Sequence, residues 1–124
     1  MLTLPDSHKA FRFERDGSTL IVSLMGDCLN TEESALEREI DTLHKVLDEP
    51  ALKNIVVDIG SLPFFGSIII GAIMALCTKA ISRSGKAVLC DASEGMRDVI
   101  RIMKLDSVVP YYQTREEAMQ AVAK

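Results

Sequence analysis

The segment Asn54-Ile55-Val56-Val57-Asp58-Ile59-Gly60-Ser61-Leu62-Pro63-Phe64-Phe65-Gly66-Ser67, followed by Ile68-Ile69-Ile70-Gly71, is the most informative part of this 124-residue chain. Ile55 to Ile59 is a short apolar run, the pattern of a strand covered on both faces. Gly60, Pro63 and Gly66 turn it into a loop. The loop delivers Ser67 to the start of a helix predicted to reach about Ser84, with Gly85 as its stop. A helix N-terminus presents free backbone N–H groups and the positive end of the macrodipole. Ser67 can therefore cap the helix, and a phosphate on its hydroxyl would be stabilised by the same groups.

Upstream, Phe11–Glu14 and Thr19–Leu24 are short β-prone runs joined through Arg15-Asp16-Gly17-Ser18, where Asp-Gly signals a hairpin. Asn30 with Glu33 forms a capping pair for a helix carrying Leu36, Ile40, Leu43 and Leu47, which Glu49-Pro50 ends near Asp48. Downstream, Ala87–Cys90 reads as a second buried strand. Ser93 then caps a helix with Met96, Val99, Ile100 and Met103 as its apolar positions. Val108–Tyr111 is predicted as the last strand. Thr114 and Glu117 make a capping box for a C-terminal helix with Ala118, Ala121 and Val122 on its inner face. A hairpin followed by alternating helices and strands predicts an α/β fold: a mixed, mostly parallel sheet of four to five strands with four helices. Residues 1–9 show no period and read as a flexible tail, which leaves 10–124 as a single domain.

Hydrophobic residues make up 48% of the chain and charged residues 26%, the profile of a folded protein rather than a disordered one. A formal net charge of -4, with no dense run of Lys or Arg, argues against nucleic acid or an anionic membrane as partner. The apolar stretch from Leu62 to Cys77 is interrupted by Pro63, Gly66, Ser67 and Gly71 and falls short of the ~20 residues a spanning helix needs. The first residues lack a signal-peptide pattern, so a cytoplasmic location without membrane insertion is expected. Cys28, Cys77 and Cys90 suit neither a disulfide framework nor a CxxC-type metal site, and read as small apolar residues. His8 falls in the tail and His44 on a helix surface. With no Ser/His/Asp or Cys/His arrangement and no glycine-rich phosphate loop, the chain reads as a non-enzyme without cofactor or metal.

The order of these elements and the residues around Ser67 resemble the STAS domain, a family named for sulfate transporters and anti-sigma factor antagonists. Ile55-Val56-Val57-Asp58 matches the family's strand and Phe64 its loop aromatic, and Ser67 falls on the serine that is phosphorylated in antagonist-type members. Gly85-Lys86-Ala87-Val88-Leu89 looks like the family's Gly-Lys turn and following strand, and Ser93 with the helix to Met103 and Leu105 resembles its third helix. The resemblance runs from about Phe11 to Val122. Gly66 replaces the family's Asp, and Ile68 and Ile69 replace the small residue and the Gly after the serine.

That resemblance implies a regulatory interaction module of bacterial signalling. By it, the unphosphorylated protein would engage a serine-kinase anti-sigma factor, phosphorylation at Ser67 would weaken the complex, and a phosphatase would restore it. Gly66, Ile68, Ile69 and Ile70 with Phe64 form the expected contact face. Successive helical residues point ~100° apart, so the three isoleucines cannot all face one sheet, and an exposed pair would suit a partner or a second copy. The alternative is a STAS subunit that docks on a membrane transport ATPase without a phosphate switch. Asp58 and Asp91 end two strands at the edge where α/β proteins bind ligands, and are the candidate pocket residues. A receiver domain phosphorylated on aspartate needs an acidic pair after its first strand and a lysine after its last. Here Asp27 alone follows the second strand, and Tyr111-Tyr112-Gln113 follows the last.

Overall fold

The computed structural model describes residues 11–25, 33–60 and 67–123. The tail, Asp27, Cys28, Asn30, Phe64 and Gly66 lie outside the described residues. The elements are β1 (Phe11–Asp16), β2 (Thr19–Leu24), α1 (Glu33–Leu47), β3 (Asn54–Asp58), α2 (Ser67–Ser82), β4 (Ala87–Cys90), α3 (Glu94–Ile102), β5 (Tyr111–Tyr112) and α4 (Arg115–Ala123). The strands lie side by side in the order β1-β2-β3-β4-β5. β1 runs antiparallel to β2, and every later pair is parallel. This is the mixed, mostly parallel α/β sheet that the sequence predicts. At the hairpin, Gly17 takes a φ of 62°, which lets Asp16 pair with Thr19 across two turn residues.

The strands alternate between two cores, as a period of two requires. Ile55 and Val57 of β3 and Leu89 of β4 join the larger core, with Leu36, Leu43 and Leu47 of α1, Ile73, Leu76 and Cys77 of α2, and Met96 and Ile100 of α3. Val56, Val88, Cys90 and Ile21 point the other way, into a smaller core closed by Ala118 and Val122 of α4. β3 is therefore covered on both faces. Glu39 lies on the inner stripe of α1, three residues after Leu36, and is only 6% exposed. Its carboxylate accepts a hydrogen bond from the Phe11 N–H at 3.1 Å and so fastens the outer edge strand to α1.

Cations near the end of α2 serve the C-terminus of α1. Lys79 donates to the His44 carbonyl at 2.9 Å and pairs with Asp48, while Arg83 donates to the carbonyls of Leu47 and Glu49. The His44 and Leu47 carbonyls belong to the last turn of α1, which a helix leaves without partners of its own, and Glu49 lies two residues past its end.

Three local expectations need correction. The stop of α2 is a Schellman turn in which Ser84, with φ 67°, occupies the left-handed position; the Gly85 N–H donates to Ala80 O and the Ser84 N–H to Ile81 O. Gly85 is required for a different reason: a Cβ there would lie 1.6 Å from the Lys53 carbonyl oxygen. The last strand is Tyr111–Tyr112 rather than Val108–Tyr111. Lys104 turns left-handed with φ 58° and a 3-10 turn follows over Leu105–Ser107, so pairing with β4 begins only at Pro110, whose carbonyl accepts from the Leu89 N–H. Met103 caps the end of α3 and is half exposed instead of lying on its inner face.

Candidate functional site

In a parallel sheet each strand feeds the N-terminus of the next helix, so α2, α3 and α4 all begin at one margin, beyond the carboxyl ends of β3, β4 and β5. Ser67 is the first residue of α2. α2 has no acidic residue in its first turn, whereas α3 carries Glu94 there and α4 carries Glu116 and Glu117. The positive end of the α2 dipole is thus left uncompensated within its own turn. α3 has a side-chain cap: Ser93 Oγ accepts from the Met96 N–H at 3.3 Å. At α4 the expected box is formed, with the Glu117 N–H donating to Thr114 Oγ1 at 3.1 Å and the Thr114 N–H donating to Glu117 Oε1 at 3.2 Å.

The expectation that Ile69 belongs to an exposed contact face is overturned. Ile69 is 5% exposed and belongs to the larger core, and Ile70 is half-buried against the same core. The reason is visible in the spacing: Ile69, Ile73, Leu76, Cys77 and Ala80 follow one another along a single helical stripe that lies on the sheet. Of the expected face, Ile68 follows Ser67 in the first turn, and Phe64 and Gly66 fall outside the described residues.

Asp58 and Asp91 do come together. The Asp58 carboxylate accepts from the Gly60 N–H at 2.9 Å, an Asx-type turn at the end of β3. Gly60 is the point of closest approach: a Cβ on it would stand 2.3 Å from Asp91 Oδ2 and 3.0 Å from Asp58 Oδ1. Asp91 itself takes a left-handed φ of 65°, a conformation that short polar side chains tolerate better than most. Arg115, the first residue of α4, reaches over this margin. Its Nη2 lies 3.2 Å from both Glu14 Oε1 of β1 and Ser23 Oγ of β2, and its Nε lies 3.5 Å from Asp58 Oδ2 of β3. One guanidinium thus bridges three strands.

The electrostatics follow from this geometry. Burial pushes the Asp58 carboxyl above the ordinary carboxylate range and Asp91 adds to the rise, while the Gly60 N–H and Arg115 oppose it. Burial, aided by Asp58 and Asp91, lifts the Cys90 thiol to about 12, and burial alone does the same for Cys77. Both thiols are therefore protonated and inert at neutral pH, as small apolar residues would be. His44 is half-buried on α1, its pKa lowered by burial and by Lys79. Among the described residues there is no group of three or more His, Cys, Asp or Glu able to hold a metal ion. Asp58 and Asp91 form a carboxylate pair already facing an arginine, an arrangement that locks a strand margin.

Sequence reasoning missed the Arg115 bridge, although a signal exists. A cation at the first position of a helix opposes the macrodipole, so it needs a carboxylate partner elsewhere. It also missed the Tyr111 hydroxyl, which accepts from the Ala92 N–H at 3.0 Å and donates to the Ala92 carbonyl at 3.3 Å, pinning the entry of α3 to β5.

Comparison with known proteins agrees with this architecture. The family model described as STAS domain matches residues 10–118. No curated protein sequence matches significantly. Among solved structures, an anti-sigma-factor antagonist (STAS) domain protein from Planctomyces limnophilus superposes with a TM-score of 0.79 at 22% identity, covering 92% of this chain and 98% of its own. The anti-sigma factor antagonist SpoIIAA in its unphosphorylated form gives 0.73 at 22% identity, with 92% and 96% covered. RsbS from Moorella thermoacetica gives 0.76 at 13% identity, with 93% and 96% covered.

Proposed function

Because this chain belongs to the STAS domain family, we propose that it is a non-enzymatic regulatory module that acts by protein–protein contact at the start of α2, switched by phosphorylation of Ser67. The observation that carries this reading is the α2 N-terminus. Ser67 opens the helix at the sheet margin, and no acidic residue of the first turn competes with a phosphate. A phosphoserine adds about two negative charges at pH 7, which the free N–H groups and the dipole stabilise. The same charge would repel an acidic partner surface and would be costly to desolvate against an apolar one. In this reading the unmodified protein binds a serine-kinase anti-sigma factor, the kinase phosphorylates Ser67 and leaves, and a phosphatase resets the cycle.

A second reading rests on Gly66, which stands directly before Ser67 where antagonist-type members carry Asp. It makes the same margin a constitutive docking surface for a transport ATPase, with Ser67 acting as a helix cap. Tagged protein isolated from its native host with phosphatases inhibited, then mapped by mass spectrometry, separates the two. Phosphate on the Ser67 peptide with a co-purifying serine kinase, and loss of that kinase from Ser67→Asp but not from Ser67→Ala, is the expected result. A transport ATPase bound to unmodified protein, and retained by Ser67→Asp, would replace the switch with docking.

A further inference from the structure

Among the described residues the large apolar side chains left exposed are Ile81, Ile102, Met103 and Val108, and all four stand at one end of the molecule. α2 and α3 each return from the carboxyl end of one parallel strand to the start of the next. Both therefore begin at the Ser67 margin and finish at the margin opposite. Ile81 lies in the last turn of α2, and Ile102 and Met103 close α3. Val108 follows the 3-10 turn, and the β4–β5 register carried back along both chains sets it beside Lys86. Ile102 is 76% exposed, Val108 55% and Met103 50%, so their neighbours cover little of them. The charge of this end is lopsided as well. Segments 51–54 and 81–86 meet where Gly85 abuts the Lys53 carbonyl and the Lys86 carbonyl accepts from the Ile55 N–H. Together with 101–108 they carry Lys53, Arg83, Lys86, Arg101 and Lys104 against the carboxylate of Asp106. Arg101 shares its charge with Asp98 of α3, while Lys53 and Lys104 are exposed. Acidic residues collect at the Ser67 margin instead, with Asp58 and Asp91 at strand ends and Glu94, Glu116 and Glu117 at helix starts.

We propose that this end of the molecule docks on the surface of an anionic lipid bilayer, with Ile102, Met103 and Val108 entering the headgroup boundary and the surrounding cations facing the lipid phosphates. Apolar side chains ringed by Lys and Arg gain on such a surface from burial and from the negative surface potential together. A lysine or arginine beside the apolar tips also keeps its charge in the headgroup layer while its stem lies along the apolar surface. The shape favours a bilayer over a folded partner. A side chain as exposed as Ile102 stands clear of the protein, and fluid lipid accepts such a protrusion, whereas a folded partner needs a hollow that matches it. The formal net charge of -4 argues against an anionic surface only where charge is spread evenly. Here the acidic margin is roughly 24 Å away, the length of a 16-residue helix, which is several Debye lengths at physiological ionic strength. The bilayer thus meets the basic end and is screened from the acidic one. Docked this way, the protein holds Ser67 on the side turned away from the lipid, open to a protein partner.

The test is co-sedimentation of the full chain with vesicles of phosphatidylglycerol and phosphatidylcholine in equal parts, and with vesicles of phosphatidylcholine alone. The expected result is saturable binding to the anionic vesicles, little to the neutral ones, and release as salt is raised. Ile102→Asp should weaken binding about tenfold or more, because it removes an inserted apolar group and adds a repelled charge. Lys104→Glu should weaken it by a smaller factor that shrinks with added salt. Both positions are exposed, so the urea midpoint of each variant should match the parent and show that the fold is intact. Absence of binding, equal binding to neutral vesicles, or binding unchanged in both variants would overturn the assignment. Light scattering without vesicles tests the other occupant of such a patch. A dimer that Ile102→Asp dissolves, in a protein that ignores anionic vesicles, would give the patch to a second copy of the chain and remove the bilayer.

Discussion

Ser84 and Gly85 illustrate how two adjacent residues divide a task that sequence patterns assign to one. Ser84 takes the left-handed backbone conformation, which costs a residue with a Cβ roughly 1 kcal/mol. Gly85 is held by lack of room against Lys53 O. Ser84→Gly should therefore stabilise the protein slightly, by about 0.5 kcal/mol, because relief of strain outweighs the added freedom of the unfolded chain. Gly85→Ala should cost about 2 kcal/mol or more, since the carbonyl it meets is backbone and cannot yield cheaply. Urea denaturation of both variants checks the pair, and opposite signs are the distinguishing result. Ile69 makes a similar point. Its neighbours Ile68 and Ile70 give it the look of a surface cluster, but its partners at Ile73, Leu76 and Cys77 place it in the core. Ile69→Asp should unfold the protein or cost at least ~3 kcal/mol, read as a lowered urea midpoint. It is unsuitable as a probe of partner binding.

At the scale of elements, the margin where β3, β4 and α4 meet is governed by Arg115 and the two aspartates. Because the folded Asp58 carboxyl holds its proton to higher pH than in the unfolded chain, its contribution to stability is complete below the ordinary carboxylate pKa. That contribution is lost as pH rises through the raised folded value. Asp58→Asn lacks this dependence. Relative to the parent protein, its stability should rise with pH across that window, measured by urea denaturation at stepped pH; parallel curves would show that the carboxyl is not shifted. The capping box of α4 and the Ser93 cap of α3 were legible from spacing alone, because a cap depends on residues three apart in one chain segment. The Arg115 contacts were not. They join residues whose neighbourhood depends on strand order, with Glu14 101 positions away.

The whole molecule is a sheet with unequal covers. Among the described residues, three helices and 22 buried residues form one core, while α4 closes the other face over a cluster of six. α4 should therefore open at lower free energy than the sheet beneath it, giving faster amide hydrogen exchange in Arg115–Ala123 than in β3. Iodoacetamide should leave Cys77 and Cys90 unmodified under native conditions at neutral pH. In sub-denaturing urea Cys90, under α4, should react before Cys77, under α2; simultaneous labelling would show that the two covers open together. By itself the sequence determined the α/β class, a sheet mostly parallel after the hairpin, most element boundaries and the placement of Ser67 at the start of α2. Each of these rests on local periodicity and on turn or cap chemistry. Only the tertiary structure decided that Ile69 is core, that Asp58 and Asp91 meet across Gly60 beneath Arg115, and that the exposed Ile81, Ile102, Met103 and Val108 gather at the margin opposite Ser67. Those facts depend on which strand lies beside which and how closely their ends approach, and no short-range pattern along the chain encodes that distance.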